Sequence, residues 1–427
     1  MNTVYGMIII ILLLLFLKVP VFAAVLSGCI YYFVFTPGVM KIILAQRMMV
    51  ACENTALLAI PFFVCSGVFM NYAGITKRIM DFCKVVTGRM AGGLAQVNVL
   101  LSTLMGGLSG SNLADAAMES KMLVPEMEKA GYSKSFSTVV TACSSIITPL
   151  IPPGITSIIY GISANVSIGK LFIAGIGPGV LLCLTMMVMV SRISKQRGYV
   201  PIRTEKMPTS EKWDVTKKAL APLAMPIIII GGIRIGIFTP TEAGAVSIVY
   251  AAVLAIAYKE FKMGNMGKIL KETVVTTASI MAIIGAANTL SWILTKEQIP
   301  QQLSAAMTAS IANKWLFLIL VNIMLIIVGM FIEGSAATII LAPLLAPVAA
   351  SFGIDPIHFA MVFIFNISMG TITPPMGTII FVTCGITGCK MKDFMKDVLP
   401  FYIVFAICLI LLTFVPFCST GLVNLLY

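Results

Sequence analysis

The sequence contains few charged residues and almost no histidine. Only 11% of its 427 residues are charged and one is a histidine, whereas about a quarter of the residues of a soluble domain are charged. Its ten cysteines form no CxxC pair, which argues against a zinc site or a disulfide framework and favours cysteines packed as small apolar side chains. An HExxH motif and a phosphate-binding loop are also lacking, so metal-dependent hydrolysis and ATP-driven chemistry have no visible machinery.

Apolar runs dominate the rest of the chain. Hydrophobic residues make up 59% of it, and its length allows roughly ten or more spans of about 20 residues each. The net charge is +12, and the most basic connection is residues 192–218; basic loops of this kind face the cytoplasm. A nucleic-acid-binding role would need a basic soluble domain, and no such domain is visible. We therefore predict an all-α polytopic membrane protein whose first apolar run, interrupted at Lys18-Val19-Pro20, is a retained span.

Two stretches interrupt the apolar pattern with small and polar residues. Residues 106–154 read GGLSGSNLADAAMESKMLVPEMEKAGYSKSFSTVVTACSSIITPLIPPG, and residues 333–377 read EGSAATIILAPLLAPVAASFGIDPIHFAMVFIFNISMGTITPPMG. At one constant offset the Pro-Pro pairs of both stretches coincide, and Pro125 falls on Pro347. Gly110-Ser111 and Gly334-Ser335 coincide only after a two-residue slip. The sequence therefore predicts two related halves, with breaks near residues 109–112 and 144–153 in the first.

Polar backbone at membrane depth must line a cavity or lie inside protein, because lipid offers it no hydrogen bonds. Interrupted segments at corresponding places in two halves of a membrane chain indicate a transporter binding site. A broken helix exposes carbonyl groups that coordinate a hard cation and amide groups that suit a carboxylate. The competing interpretation is a pair of kinked helices packed through small residues, which would not require the Gly-Ser-Asn and Ser-Ser sequences.

The ionisable residues of the first stretch lie mostly near its charged turn. Asp115 and Glu119 are four residues apart and share one face of a predicted helix. We expect the charges of this stretch to be solvated, with Asp115 as the only candidate for burial, and we expect no inward-facing carboxylate pair. That expectation disfavours a proton relay, but the residues do not decide between Na⁺ and H⁺ as a coupling ion. His358 follows Asp355-Pro356 and is interpreted as a capping or packing residue.

The chain resembles a known family in five motifs. These are LAIPFF (58–63), GGLSGSNLADAA with its downstream VPEMEKAGY, SSIITPLIPPG, GGIRIGIFTPTEAGAV (231–246) and GIDPIHFAMVFIFNISMGTITPPMG (353–377). They are similar to motifs of the large membrane (M) subunit of TRAP transporters, the tripartite ATP-independent periplasmic transporters. The resemblance covers nearly the whole chain. It implies an inverted-repeat, elevator-type transporter with two re-entrant helical hairpins in the cytoplasmic (inner) membrane, and not an enzyme.

The resemblance also nominates site residues and partners. Its implied sodium ligands are Ser109, Ser111, Asn112, Gly334, Ser335, Thr338, Thr371 and Thr373. We assign substrate binding to Ser144, Ser145, Thr148, Pro152, Asn366 and Ser368, and this division between ion and substrate residues is our own inference from the oxygen donors of the broken segments. Na⁺ is the implied coupling ion, with no cofactor, and the implied substrate is an organic anion such as a C4-dicarboxylate, a sugar acid or a sialic acid. The implied partners are a small four-helix membrane subunit and an extracytoplasmic solute-binding protein.

The same resemblance divides the chain into scaffold and transport segments. They are scaffold helices 1–90, a first transport repeat 91–191, a cytoplasmic linker 192–218, scaffold helices 219–314, a second transport repeat 315–390 and a C-terminal span 391–427.

The nearest alternative function is a stand-alone sodium/dicarboxylate symporter of a related fold. Adjacent genes for a four-span protein and a secreted binding protein would argue against it. A channel or a membrane-embedded enzyme is the alternative from another class; an enzyme would need a titratable cluster at depth.

Overall fold

The structure is a computed structural model that describes residues 2–17, 19–203, 205, 207–259, 261, 263–311 and 313–427. Within these residues the chain forms twenty α-helices, three short 3₁₀ segments and no strand. Eight helices are long and apolar enough to cross a membrane. This architecture confirms the predicted all-α polytopic class. Lys18, one of the residues predicted to interrupt the first apolar run, lies outside the described residues, and the chain on either side of it forms two separate helices.

The helices are α1 (Asn2–Phe16), α2 (Val21–Phe35), α3 (Ile42–Cys52), α4 (Ala59–Tyr72), α5 (Ile75–Thr87), α6 (Gly93–Ser109), α7 (Asn112–Lys129), α8 (Lys134–Ser144), α9 (Ile155–Ser163), α10 (Ile168–Arg197), α11 (Thr209–Arg234), α12 (Pro240–Tyr258), α13 (Met266–Lys296), α14 (Ile299–Ser310), α15 (Lys314–Phe331), α16 (Gly334–Ser351), α17 (Pro356–Gly370), α18 (Thr378–Thr387), α19 (Met391–Phe414) and α20 (Phe417–Leu426). The 3₁₀ segments are Thr55–Leu58, Ser145–Ile147 and Met263–Asn265.

Two sets of five helices repeat along the chain. The first repeat is α6–α10 and the second is α15–α19. Helix α16 begins and ends at the positions that match α7 under the offset of the proline pairs. Both Pro152-Pro153 and Pro374-Pro375 are cis and follow the second break of their repeat. The predicted breaks at 109–112 and 144–153 are confirmed, because α6 ends at Ser109 and α8 ends at Ser144.

The predicted two-residue slip between the hairpin tips is wrong. Ser111 is the N-cap of α7, where its hydroxyl accepts from Ala114 N at 3.4 Å. The N-cap of α16 is Glu333, whose carboxylate accepts from the backbone N–H groups of Ser335 and Ala336. The constant offset therefore holds through the tips and pairs Ser111 with Glu333. The slip aligned two Gly-Ser dipeptides because their sequences are alike. In the structure the equivalent positions are the two helix N-caps, which carry different side chains.

The two hairpins enter the membrane from opposite sides. The first, α6–α7, starts against the basic linker, where Arg203 N donates to Gly88 O at 3.0 Å. It returns to the same side, because Lys84 of α5 pairs with Glu126 at 3.0 Å. The second, α15–α16, follows α14 at the far end of α13 and returns there, with Ser304 Oγ donating to Ser351 Oγ at 2.8 Å. This opposite entry makes the repeats inverted, as transporter repeats commonly are.

Thr239 and Glu242 form a reciprocal capping box at the start of α12: Thr239 N donates to the Glu242 carboxylate at 2.8 Å, and Glu242 N donates to the Thr239 hydroxyl at 3.2 Å. The prediction that His358 has a capping or packing role is confirmed. His358 is 2% exposed; its Nδ1 lies 2.9 Å from Ser419 Oγ and its Nε2 lies 3.3 Å from Thr413 O. Both contacts hold α17 against the C-terminal helices, which is a packing role.

Close helix packing in the second repeat depends on glycine. An added Cβ at Gly370 would lie 2.6 Å from Gly329 Cα, because α15 and α17 touch backbone to backbone there. We expect Gly370→Ala to cost about 1–3 kcal/mol by overpacking and to lower the midpoint of thermal unfolding in nanodiscs. Gly385→Ala in α18 is the matched control, since nothing lies within 4 Å of its added Cβ. Equal midpoints for the two variants would contradict the close contact.

Candidate functional site

A cavity of about 300 Å³ lies where the tips of the two hairpins meet. We call it the tip cavity. Its walls are the first residues of α7, α9 and α16 and one face of α13, a helix outside the repeats. The polar side chains that line it are Ser111, Asn112, Thr156, Thr276, Ser279, Glu333 and Ser335. The fold thus brings both predicted tips into one site.

Three helix N-termini converge on the tip cavity, and unpaired backbone amides at such ends favour a negative charge. Helix α16 is already capped by the Glu333 carboxylate, at 3.0 Å and 3.1 Å from two backbone nitrogens. Helix α9 begins at Gly154 without a side-chain cap. Thr156 of its first turn lines the cavity. The N-terminus of α9 is therefore the end best placed to receive an anionic group.

Two carboxylates lie buried behind the first tip. Asp115 is 1% exposed and Glu119 is 0% exposed. Ser109 Oγ donates to Asp115 Oδ1 at 2.6 Å, and Thr148 Oγ1 donates to Asp115 Oδ2 at 2.7 Å. Ser102 Oγ donates to Glu119 Oε2 at 2.7 Å. The expectation that only Asp115 could be buried, and that no inward carboxylate pair exists, is wrong, because α6 and α8 pack over the shared face of α7.

The buried pair has no cationic partner in the described part of the chain. Within the described residues no lysine, arginine or histidine forms an ion pair with Asp115 or Glu119, and Glu119 Oε1 has no hydrogen-bond donor. Uncompensated charge inside a protein costs several kcal/mol. The surrounding donors are all oxygen atoms, which is the ligand set preferred by hard cations such as Na⁺. The side chains that contact Asp115 therefore contribute oxygen atoms of the kind that coordinates hard cations.

The predicted site residues of the first half divide into two groups. Ser109 and Thr148 contact Asp115, while Ser111 and Asn112 line the tip cavity. Ser144 lies deeper and donates to Asn98 Oδ1 at 2.9 Å, and Ser145 donates to Ala142 O within its own turn. Pro152 directs its carbonyl towards the tight packing position of Gly107.

Few of the predicted site residues of the second half lie at the tip cavity. Ser335 lines the tip cavity and Gly334 begins α16. The hydroxyls of Thr338, Ser368, Thr371 and Thr373 donate to backbone carbonyls three or four residues earlier. Asn366 is 0% exposed and donates to Asn322 Oδ1 at 2.8 Å. The structure therefore does not bring Asn366 and Ser368 to the tip cavity.

Several residues at the site were not nominated from the sequence. Glu333 carries the only carboxylate in the described lining of the tip cavity, and Ser102 and Glu119 extend the buried polar cluster. The constant repeat offset was the signal that could have found Glu333, since it pairs Glu333 with Ser111. The α13 residues Thr276 and Ser279 had no such signal, because α13 lies outside both repeats.

The tip cavity adjoins a larger cleft on one side of the protein. A cleft of about 790 Å³ shares Val275 and Thr276 with it and extends along α7 and the first half of α13. We call this the inner cleft, since α13 begins at the basic segment that places this end in the cytoplasm. On the other side, a cavity of about 260 Å³ lies near Asn54 and Asn288, and none of its described lining residues belongs to the tip cavity.

Comparisons with known proteins agree on one family. Residues 8–418 match the family described as the tripartite ATP-independent periplasmic transporter, DctM component. The sialic acid TRAP transporter large permease protein SiaM of Vibrio cholerae is 39% identical over 404 residues, which is 94% of each chain. The C4-dicarboxylate TRAP transporter large permease protein DctM of Pseudomonas aeruginosa is 37% identical over 406 residues, which is 93% of each chain.

A solved structure supports the fold alone. The YdaH transporter of Alcanivorax borkumensis, described as having an unusual topology, superposes with a TM-score of 0.57 at 14% identity. The match covers 87% of this chain and 86% of that one.

The eight candidate spans and the two full-length relatives place this protein in the inner membrane, as a transport protein and not an enzyme. The chain belongs to the DctM family, the large permease component of TRAP transporters.

Proposed function

We propose that this permease imports an organic anion by sodium-coupled secondary transport. The observation that carries the proposal is the meeting of two inverted, broken hairpins at one polar cavity beside buried, uncompensated carboxylates. Both an anion and a cation are accommodated there by different groups. Coupling follows if each ion binds better when the other is present, because the linkage between two ligands is reciprocal.

Sodium is assigned to the oxygen cluster behind the first tip. Asp115 supplies the negative charge, and the Ser109 and Thr148 hydroxyls, now donors to its two oxygens at 2.6 and 2.7 Å, can rotate to present lone pairs. Glu119 adds a second carboxyl group one helical turn away. A bound cation would remove the cost of burying this charge and would hold the tip of α6 against the break after α8.

The substrate is assigned to the tip cavity. A carboxylate there would meet the uncapped N-terminus of α9 and the polar side chains of Ser111, Asn112 and Ser335. The relatives' names specify a sialic acid and a C4-dicarboxylate, and both compounds carry a carboxylate. We therefore propose an acid of this class, including sugar acids, with the common carboxylate as the recognised group.

Two partners and a mode of movement complete the proposal. A tripartite system has two further components, which we propose to be a small four-helix membrane subunit and an extracytoplasmic solute-binding protein that delivers the anion. The tip cavity lies between the repeats and α13. Movement of the repeats past α13, in the manner of an elevator, would carry the cavity from the inner cleft to the outer side.

Uptake into proteoliposomes tests this function. The chain is reconstituted with the small subunit, with the binding protein and labelled succinate or N-acetylneuraminate outside. We expect uptake that requires both an inward sodium gradient and the binding protein. Uptake without the binding protein would favour the stand-alone symporter, and uptake driven by a proton gradient alone would overturn sodium coupling.

A substitution in each half tests the placement of the site. We expect Ser111→Leu and Thr373→Leu to abolish sodium-dependent uptake while membrane insertion and yield stay normal. Leucine at position 111 fills the tip cavity and removes the N-cap of α7, and leucine at position 373 crowds the break after α17. The Ser279→Ala variant is the mild control, since it only enlarges the same cavity. Normal uptake by both leucine variants would mean that the site lies elsewhere.

A further inference from the structure

Lysines outnumber carboxylates among the residues that line the inner cleft. Three of its lining residues are lysines: Lys121 from α7, and Lys268 and Lys271 from the first turns of α13. Its only lining carboxylate in the described chain is Glu272, which accepts a hydrogen bond from Tyr72 Oη at 2.6 Å. The cleft therefore carries an excess of positive charge directly below the tip cavity.

The three lysines come from two different parts of the fold. Lys121 lies on the first hairpin, whereas Lys268 and Lys271 lie on α13, which is outside the repeats. Among the described residues none of the three forms an ion pair. Cationic loops on the cytoplasmic side explain lysines near the ends of α13, but that rule does not explain why a lysine of the hairpin faces the same cleft.

The cleft adjoins the tip cavity on its cytoplasmic side. It shares Val275 and Thr276 with the tip cavity, and Ala114 of its wall follows directly after Leu113 of the tip cavity wall. A carboxylate that leaves the tip cavity on this side would therefore pass close to the three ammonium groups. Like charges gathered in a concave surface attract and concentrate an anion of opposite sign.

We propose that Lys121, Lys268 and Lys271 form a second, lower-affinity anion-binding site in the inner cleft, which holds the carboxylate of the substrate after it leaves the tip cavity. The proposal rests on the proposed anion transport. An anion in this site contacts both the hairpin and α13, so it stabilises the inward-open arrangement and draws substrate from the tip. Recognition here depends on the carboxylate charge and not on the rest of the substrate.

Saturation-transfer NMR with succinate as the probe tests this site in nanodiscs. The background variant Ser111→Trp blocks the tip cavity and leaves the inner cleft intact. We expect a succinate signal that persists in this background and weakens as sodium chloride is raised, because exposed charges are screened by salt. Adding K121Q, K268Q and K271Q should weaken binding by about fivefold or more, the effect of losing one exposed charge contact.

Matched variants separate a local site from general surface charge. The triple variant K195Q, K217Q and K218Q removes the same charge from the same membrane face, outside the inner cleft, and should leave the signal unchanged. The variant K121R, K268R and K271R keeps the charge and should retain binding, which also shows that the cleft folds normally.

Three results would overturn the proposal: no succinate signal in the Ser111→Trp background, equal losses in the two glutamine variants, or an undiminished signal in the cleft variant. Failure of the proposed transport function would be seen in the uptake assay and not in the binding measurements. If the wild-type complex takes up no labelled acid while the cleft pattern is as expected, the anion site stands and the transport assignment falls.

Discussion

Replacing Asp115 by asparagine is expected to abolish sodium-dependent uptake with only a modest loss of stability. The variant keeps one oxygen but removes the buried negative charge, and its amide leaves Ser109 or Thr148 without an acceptor. Unit charges 4 Å apart interact by about 4 kcal/mol at an effective dielectric constant of 20, so sodium affinity should fall between about 10-fold and roughly 1,000-fold. The buried hydroxyl left without an acceptor should lower the free energy of unfolding by about 1–3 kcal/mol. The sodium dependence of uptake and the thermal midpoint measure the two effects.

Glu126→Gln is the control for this variant. Glu126 lies on the same helix, but its side chain is 44% exposed and pairs with Lys84 at 3.0 Å. An exposed ion pair contributes only about 0–1 kcal/mol, so its loss should leave the sodium dependence unchanged. If both variants transported with the wild-type sodium dependence, the oxygen cluster around Asp115 would not be the coupling site.

Replacing Gly110 by alanine is expected to eliminate transport through the shape of the tip. Gly110 has φ +62°, and an added Cβ would lie 2.4 Å from Pro153 O and 3.0 Å from Ile155 N. Its carbonyl also accepts from Ile155 N at 3.1 Å, so the tip and the start of α9 are joined at this residue. Alanine there combines left-handed strain of about 1–2 kcal/mol with a clash against rigid backbone, which must push α9 away from the tip cavity.

Gly131→Ala separates the clash from the strain. Gly131 also has a positive φ, +88°, but an added Cβ would meet nothing within 4 Å. This variant should lose only about 1–2 kcal/mol of stability from backbone strain and should transport normally. Uptake rates and thermal midpoints of both variants, measured in parallel, show whether the clash or the backbone strain abolishes transport. Equal transport by the two variants would show that the contact between Gly110 and the Pro153 loop is not needed.

The sequence analysis was most accurate where local chemistry governs structure. The breaks after Ser109 and Ser144 were predicted because glycine, proline and hydroxyl residues interrupt apolar runs there, and these residues act within a few positions of themselves. The division of the chain into scaffold and transport segments remains a prediction, as do the separate roles of the nominated sodium and substrate residues.

The sequence analysis failed where burial depends on distant helices. Glu119 follows Asp115 by one helical turn and precedes a run of solvated charges, so its local surroundings resemble a surface. It is buried because Ser102 of α6 and the packing of α8 cover that face of α7. The same limit applies to Asn366, whose polar side chain satisfies Asn322 inside the second repeat and does not reach the tip cavity.

The sequence by itself determined the membrane class, the internal repeat, the positions of the breaks and the family, because composition, periodicity and spacing are properties of the linear chain. Only the tertiary structure decided that Glu333 faces Ser111 across one cavity, that α13 closes its wall, that Asp115 and Glu119 are buried together and that three lysines gather below. Those relations join residues from helices far apart in the chain. Packing between helices sets their distances and exposure, and no local pattern records either.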